Sequence, residues 1–229
     1  VTYRLAVFDM AGTTVSNSDL VVEALTGSVR ARGFNVTAAD ARPLMGYPKR
    51  QAIRHLLGMH TAAANDAMLV EQVHGDFVAA MLERYRNSPD VAPMPTAEAC
   101  FAALRSRGLR IALDTAFSRD IALTIIERFG WLRDGRIDDV IATDEVAAGR
   151  PAPDMIRALM ARQGVGEPAA VIKVGDTPVD VEEGRKARVG LVVAVTTGAF
   201  ERAALRACAP DHVIDSLAEL PPLLELPEQ

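Results

Sequence analysis

Residues 3–14 read YRLAVFDMAGTT: a four-residue apolar run, 5–8, stops at Asp9 and enters a glycine-containing turn, Met10-Ala11-Gly12-Thr13-Thr14. An apolar run without alternation is the pattern of a strand buried on both faces, as in a parallel sheet flanked by helices. The same signature recurs at 109–113, 171–174 and 191–195, and more weakly at 140–142 and 212–214. Helix-spaced segments lie between these runs, at about 96–107, 119–129, 153–163, 180–188 and 200–207. Strand–helix alternation of this kind predicts an α/β fold, a doubly wound parallel sheet in Rossmann-like order with helices on both faces. Ligands in such sheets sit beyond the carboxyl ends of the strands, so the residues after each run are the ones to read for chemistry.

One stretch breaks the alternation. From about Asp19 to Asn87 only helical periodicity is found, at 21–32, 50–57 and 67–85, and Pro89, Pro93 and Pro95 punctuate the return. The expected organisation is therefore a core made of 1–17 and 92–229 with an α-helical cap, 18–91, inserted after the first strand. A lid placed there excludes water from the carboxyl edge and selects the substrate.

Composition bounds the partners. At 229 residues, 49% hydrophobic and 24% charged, the chain suits one sizeable α/β domain with an insert. A net charge of -5 and no basic stripe argue against a nucleic-acid partner held through its phosphates. The apolar stretch at 3–9 is too short for a signal core or a membrane span, and Cys100 and Cys208 form no metal or redox spacing. No membrane partner and a cytoplasmic location are the simplest expectations.

Four strand ends carry reactive residues: Asp9 to Thr14, Asp114-Thr115, Gly149-Arg150-Pro151, and Gly175-Asp176-Thr177-Pro178-Val179-Asp180. Phosphoryl transfer needs a nucleophile, a divalent cation to offset charge, and donors around the transferred group. Asp9 can attack as a carboxylate. Asp9 and Asp176 can hold Mg²⁺, which prefers a few carboxylates plus waters. Thr115 and the amides of the Gly12–Thr13 turn can bind phosphoryl oxygens, with Arg150 as a fixed cation. A single Asp after a strand is often no more than a helix cap, and Asp180 and Thr115 each have that alternative. Asp114 reads as structural.

In this order the motifs FDMAGTT, DT, GRP and KVGDTPVD resemble those of the haloacid dehalogenase superfamily over nearly the whole chain. Within it the chain is similar to the phosphonatase (phosphonoacetaldehyde hydrolase) family: Ala11 replaces the second Asp of most phosphatases, Arg150 replaces their Lys, and the cap carries Met45-Gly46-Tyr47-Pro48-Lys49. The resemblance implies Asp9 as nucleophile, Mg²⁺ on Asp9, the Ala11 carbonyl and Asp176 with Asp180 near it, and Lys49 as a Schiff-base lysine. It also implies that Met45, Gly46 and Ala116 touch a small phosphonate or phosphate substrate, and it suggests a homodimer through the cap. Three positions depart from the family: Ala52, Asp19 and Ala116-Phe117 stand where it has His, Cys and Gly-Tyr.

The missing carboxyl has chemical meaning. A phosphomonoesterase needs it to protonate an alkoxide, and Ala11 cannot do so. Cleaving a carbon–phosphorus bond instead needs the carbon leaving group delocalised, which an iminium on Lys49 provides. Lys49 has two other readings, a solvated surface charge and an anion clamp, and the second belongs to a small-metabolite phosphatase. A non-catalytic binding protein on the same fold is the third hypothesis. Arg54 is a candidate to lower the Lys49 pKa or bind a phosphonate. His55, His60, His74 and His212 form no ligand spacing and read as structural or exposed.

Overall fold

The computed structural model describes residues 2–16, 18–60 and 66–224. Among them, β1 (Leu5–Phe8), β2 (Arg110–Thr115), β3 (Asp139–Ala142), β4 (Val171–Gly175), β5 (Leu191–Val195) and β6 (His212–Ile214) form one sheet. Its order is β3-β2-β1-β4-β5-β6, and every pairing is parallel. The order reverses at β1, so the crevice beyond its carboxyl end is the topological switch point where such sheets bind ligands. Asp9 is the first residue past that end.

The apolar run of β1 is explained by what lies above and below it. Phe8 meets Phe101 edge-on at 5.3 Å between ring centroids, in the cluster that includes Ala6. Leu5 and Val7 join the opposite cluster with Met155, Ile156, Leu159 and Val181. Burying a side chain of this size contributes about 1.5–3 kcal/mol, so either layer penalises a polar residue here.

The helices are α1 (Ser18–Arg30), α2 (Ala38–Ala41), α3 (Lys49–Gly58), α4 (Ala67–Asn87), α5 (Ala97–Arg105), α6 (Arg119–Phe129), α7 (Asp154–Arg162), α8 (Pro178–Ala187), α9 (Arg202–Ala207) and α10 (Leu220–Leu223). The first four lie between β1 and α5, and the described part of 18–91 holds no strand. Val70, Val73, Phe77 and Met81 of α4, at helical spacing, are fully buried in one cluster with Leu25 of α1 and Ile53 and Leu56 of α3. The far end of α4 is fastened to the core: Arg128 of α6 donates to the carbonyls of Tyr85 (2.6 Å) and Ser88 (2.8 Å). No described helix is long and apolar enough to cross a membrane.

Two element boundaries and one short helix depart from expectation for reasons the structure shows. Strand β2 runs on through Asp114 and Thr115, which pair with Ile141 and Ala142, because buried cations serve the Asp114 carboxylate. Helix α8 starts at Pro178 because Thr177 and Asp180 form a reciprocal capping box, which makes Thr177 the cap and Asp180 the third helical residue. Short α2, absent from the expected elements, rests on the same device between Thr37 and Asp40.

Candidate active site

Asp9 is buried at the switch point. Behind it the amides of Thr13, Thr14 and Val15 converge on the Met10 carbonyl, and the Gly12 amide donates to the Val15 carbonyl at 2.9 Å. The Gly12 turn amides are thus spent inside the loop and are not the anion donors expected of them. The amides of Met10 and Ala11 remain without a backbone acceptor among the described residues. Gly12 (φ 93) is needed for close approach, since a Cβ there would lie 2.7 Å from Asp176 Oδ2. Thr13 is fully buried and donates to Asp176 Oδ1 at 2.9 Å, so it fixes a carboxylate instead of touching a substrate.

Asp176 follows β4, and its Oδ2 accepts from the Ala199 amide at 3.1 Å. Oxygens of Asp9, Asp176 and Asp180 lie within 4.8 Å of one another, all buried. Burial, reinforced by Asp9 and Asp180, pushes the Asp176 carboxyl well above the carboxylate range. Burial first, then Asp180, raises Asp9 to about 6 against the opposing pull of Arg150. Asp180 Oδ1 has no hydrogen bond, although Arg150 Nη1 (2.9 Å) and Lys173 Nζ (3.2 Å) stand within ion-pair range. Crowded hard-oxygen donors with one orphaned atom fit a divalent cation, so these residues could hold one.

Beneath Asp9 lies a buried ion network. Arg150 Nη1 donates to Asp9 Oδ1 at 2.5 Å, Nη2 to the backbone (2.8 Å) and side chain of Asp114, and Nε stands 3.0 Å from Glu183. Lys173 Nζ donates to both Asp114 oxygens, at 2.5 and 2.7 Å, and pairs with Glu183 at 3.0 Å. Burial opposes both cations, but the carboxylates outweigh it and hold each above its ordinary pKa. Burial, with Asp114 adding, lifts Glu183 to about 8. Lys173 and Glu183 were not anticipated as parts of the site. A lysine inside the apolar run of β4 was a readable signal, whereas Glu183 had none.

The lid supplies Lys49, the first residue of α3. It is 4% exposed, its Nζ donates to the Tyr47 carbonyl at 3.3 Å, and it lies 5.6 Å from the centroid of the Phe117 ring. Burial brings its pKa down to about 8, with Asp9 opposing. Asp9, Ala11, Met45, Gly46, Lys49, Thr115, Ala116, Phe117, Arg150 and Asp176 all line one cavity of about 30 Å³. That is room for a water or two, so the lid packs tightly against the core here. Gly46 (φ 87) permits this: a Cβ there would run into Thr177 Oγ1. Thr115 Oγ1 accepts from the Phe117 amide at 3.2 Å and does not cap α6, whose cap residue is Ser118.

Two residues fall elsewhere. Arg54 is exposed and outside the cavity, because five residues along a helix turn a side chain about 140° away from Lys49. Asp19 is exposed and pairs with Arg42 at 3.1 Å.

Carboxylates and buried cations gathered at the switch point beneath a helical lid suit a hydrolase, and the chain belongs to the haloacid dehalogenase-like hydrolases, whose family model matches residues 3–188. Among its relatives are phosphonoacetaldehyde hydrolases. That of Bordetella pertussis is 30% identical, over 95% of this chain and 90% of its own length. That of Bacteroides fragilis is 31% identical, over 96% and 95%. Among solved structures, a phosphonoacetaldehyde hydrolase-like protein from Oleispira antarctica has a TM-score of 0.84 at 22% identity, covering 98% of this chain and 92% of the other. A predicted phosphoglycolate phosphatase from Haemophilus somnus has 0.79 at 16%, covering 97% and 98%. Likeness at these lower identities speaks to the fold alone.

Proposed function

We propose that this hydrolase cleaves the carbon–phosphorus bond of phosphonoacetaldehyde or a close relative, with Asp9 as nucleophile and Lys49 as imine-forming amine beneath a cap of residues 18–91. One observation carries the reading: a buried amine drawn down to about pKa 8 lines the same small cavity as Asp9. An anion clamp gains from a fully charged lysine, whereas an imine requires a free amine.

The Lys49 amine adds to the aldehyde carbon and, with loss of water, gives an iminium. An Asp9 oxygen, oriented by Arg150, attacks phosphorus. The carbon–phosphorus electron pair flows into the iminium, leaving an enamine on Lys49 and a phosphoryl group on Asp9. Protonation of the enamine carbon and hydrolysis free acetaldehyde, and a second water hydrolyses the aspartyl-phosphate. Asp9, Asp176 and the Ala11 carbonyl would hold Mg²⁺, with Asp180 behind them, and the bound ion offsets charge as carboxylate and phosphoryl group approach. Thr115 and the free amides of Met10 and Ala11 are the donors for phosphoryl oxygens.

The phosphatase alternative needs a carboxyl to protonate an alkoxide. The described cavity lining offers only Asp9 and Asp176, both already engaged. A substrate panel with Mg²⁺ tests the choice. Turnover of phosphonoacetaldehyde, absent in excess chelator and far above that of phosphoglycolate or sugar phosphates, is expected; the reverse ranking would favour the phosphatase.

A further inference from the structure

Among the described residues Lys49 alone lines both the cavity that holds Asp9 and a second one behind it. One is the cavity of about 30 Å³ it shares with Asp9; the other, of about 180 Å³, lies between lid and core and is walled by Arg50, His74, Ser118, Thr143 and Asp144 as well as Lys49. His74, Arg50, Ser118 and Asp144 also line a wider groove that continues this second space outward. The lysine therefore stands between the small cavity at Asp9 and a roomier space walled by polar side chains. The Ser118 hydroxyl there is buried with no partner, and a space of this size has room for water to serve it.

We propose that His74 of α4 is the proton exchanger of Lys49, working through water in this rear cavity. The proposal rests on the imine reading of Lys49. An ammonium of pKa about 8 is free amine in only about one molecule in ten at pH 7. It must shed a proton before each attack, and the cavity it shares with Asp9 holds a water or two at most. From the rear, neutral His74 takes the Lys49 ammonium proton. The amine adds to the aldehyde, the imidazolium returns that proton to the carbinolamine hydroxyl, and water leaves as the iminium forms. Charge and protons balance, and His74 ends neutral.

The surroundings suit the role. Burial first, then Arg50, holds the His74 pKa below its usual value, with Glu71 and Asp144 opposing and the Lys49 charge adding. Arg50 is itself paired with Glu71 at 2.7 Å, Asp144 Oδ1 accepts from the Arg119 amide at 2.9 Å, and Asp120 lines the outer groove. A histidine kept neutral near pH 7 is the protonation state that accepts a proton.

The test is single-turnover imine trapping: the rate at which borohydride fixes phosphonoacetaldehyde on the Mg²⁺-loaded enzyme, followed from pH 6.5 to 9.5. His74→Gln should trap about 100-fold more slowly than wild type at pH 7, and the deficit should shrink toward pH 9.5 as Lys49 frees itself. In His74→Ala, added imidazole should enter the enlarged rear cavity and restore trapping at pH 7. A loss equal at every pH and untouched by imidazole would mean that His74 only packs, and unchanged trapping in both variants would also overturn the exchanger. If wild type itself forms no adduct, the imine reading falls and the exchanger with it, an outcome distinct from both.

Discussion

Two lysines are removed from water in this molecule, one in the floor of the site and one in its lid, and they are driven in opposite directions. Lys173 sits in β4 against Asp114, Asp180 and Glu183 and is held charged. Lys49 meets a carbonyl and an aromatic face, with carboxylates acting on it only from further off, and is drawn toward neutrality. Burial opposes charge in both cases, so the contacting partners decide. The floor keeps fixed charges beside Asp9, and the lid keeps an amine of lowered basicity, as the proposed imine requires.

Breaking the floor at Asp9, the proposed nucleophile, gives the largest effect. Asp9→Asn removes the attacking oxygen and a candidate metal ligand, and kcat should fall at least about a thousandfold while substrate still binds. A variant retaining a tenth of the activity in a steady-state assay would exclude Asp9 as nucleophile. Next comes Lys173→Met, which leaves four carboxylates, Asp9, Asp114, Asp180 and Glu183, around Arg150 alone. Removing one partner of a buried ion pair costs about 3–5 kcal/mol, and urea unfolding at pH 7 should show it.

Lys49→Met sharpens the contrast, because its effect on stability should have the opposite sign. The folded pKa of Lys49, about 8, lies below the unfolded value of about 10.4. The unfolded chain therefore binds that proton more readily, and the fold carries a penalty of about 3 kcal/mol below pH 8 that fades as the pH rises toward 10.4. The variant should be inactive yet more stable than wild type at pH 7, with the gap closing by pH 10. Equal destabilisation by the two lysine variants would erase the distinction. The smallest effect belongs to Phe117→Leu. Loss of the ring face removes about 0.5–1 kcal/mol from the ammonium form, so the rise of kcat/KM with pH should move down by less than one unit.

The fold was legible where burial on both faces leaves a plain mark: β1, β5, β6 and α6 stand where the apolar runs and helical spacing put them. It was less so where polar residues are buried in company, because Asp114 and Thr115 look like the end of a strand until Lys173 and Arg150 are seen serving the carboxylate. Asp9, Lys49, Thr115, Arg150 and Asp176, singled out by type and position, all line the one cavity. Thr13, the Gly12 amide and Arg54 do not line the cavity, because hydrogen bonds inside a loop and the direction of a helical side chain are properties of coordinates, not of spacing. His74 was passed over for the same reason, since only the fold carries it to a cavity that Lys49 also lines.

The most direct measurement is mass spectrometry of the Mg²⁺-loaded enzyme after borohydride is added during turnover of phosphonoacetaldehyde. The predicted result is inactivation with a reduced two-carbon adduct on the peptide bearing Lys49, and neither adduct nor turnover from Lys49→Arg, which keeps the charge but cannot form an imine. Turnover of the same substrate by Lys49→Arg near the wild-type rate, with no adduct on either protein, would contradict the imine and leave Lys49 as an anion clamp.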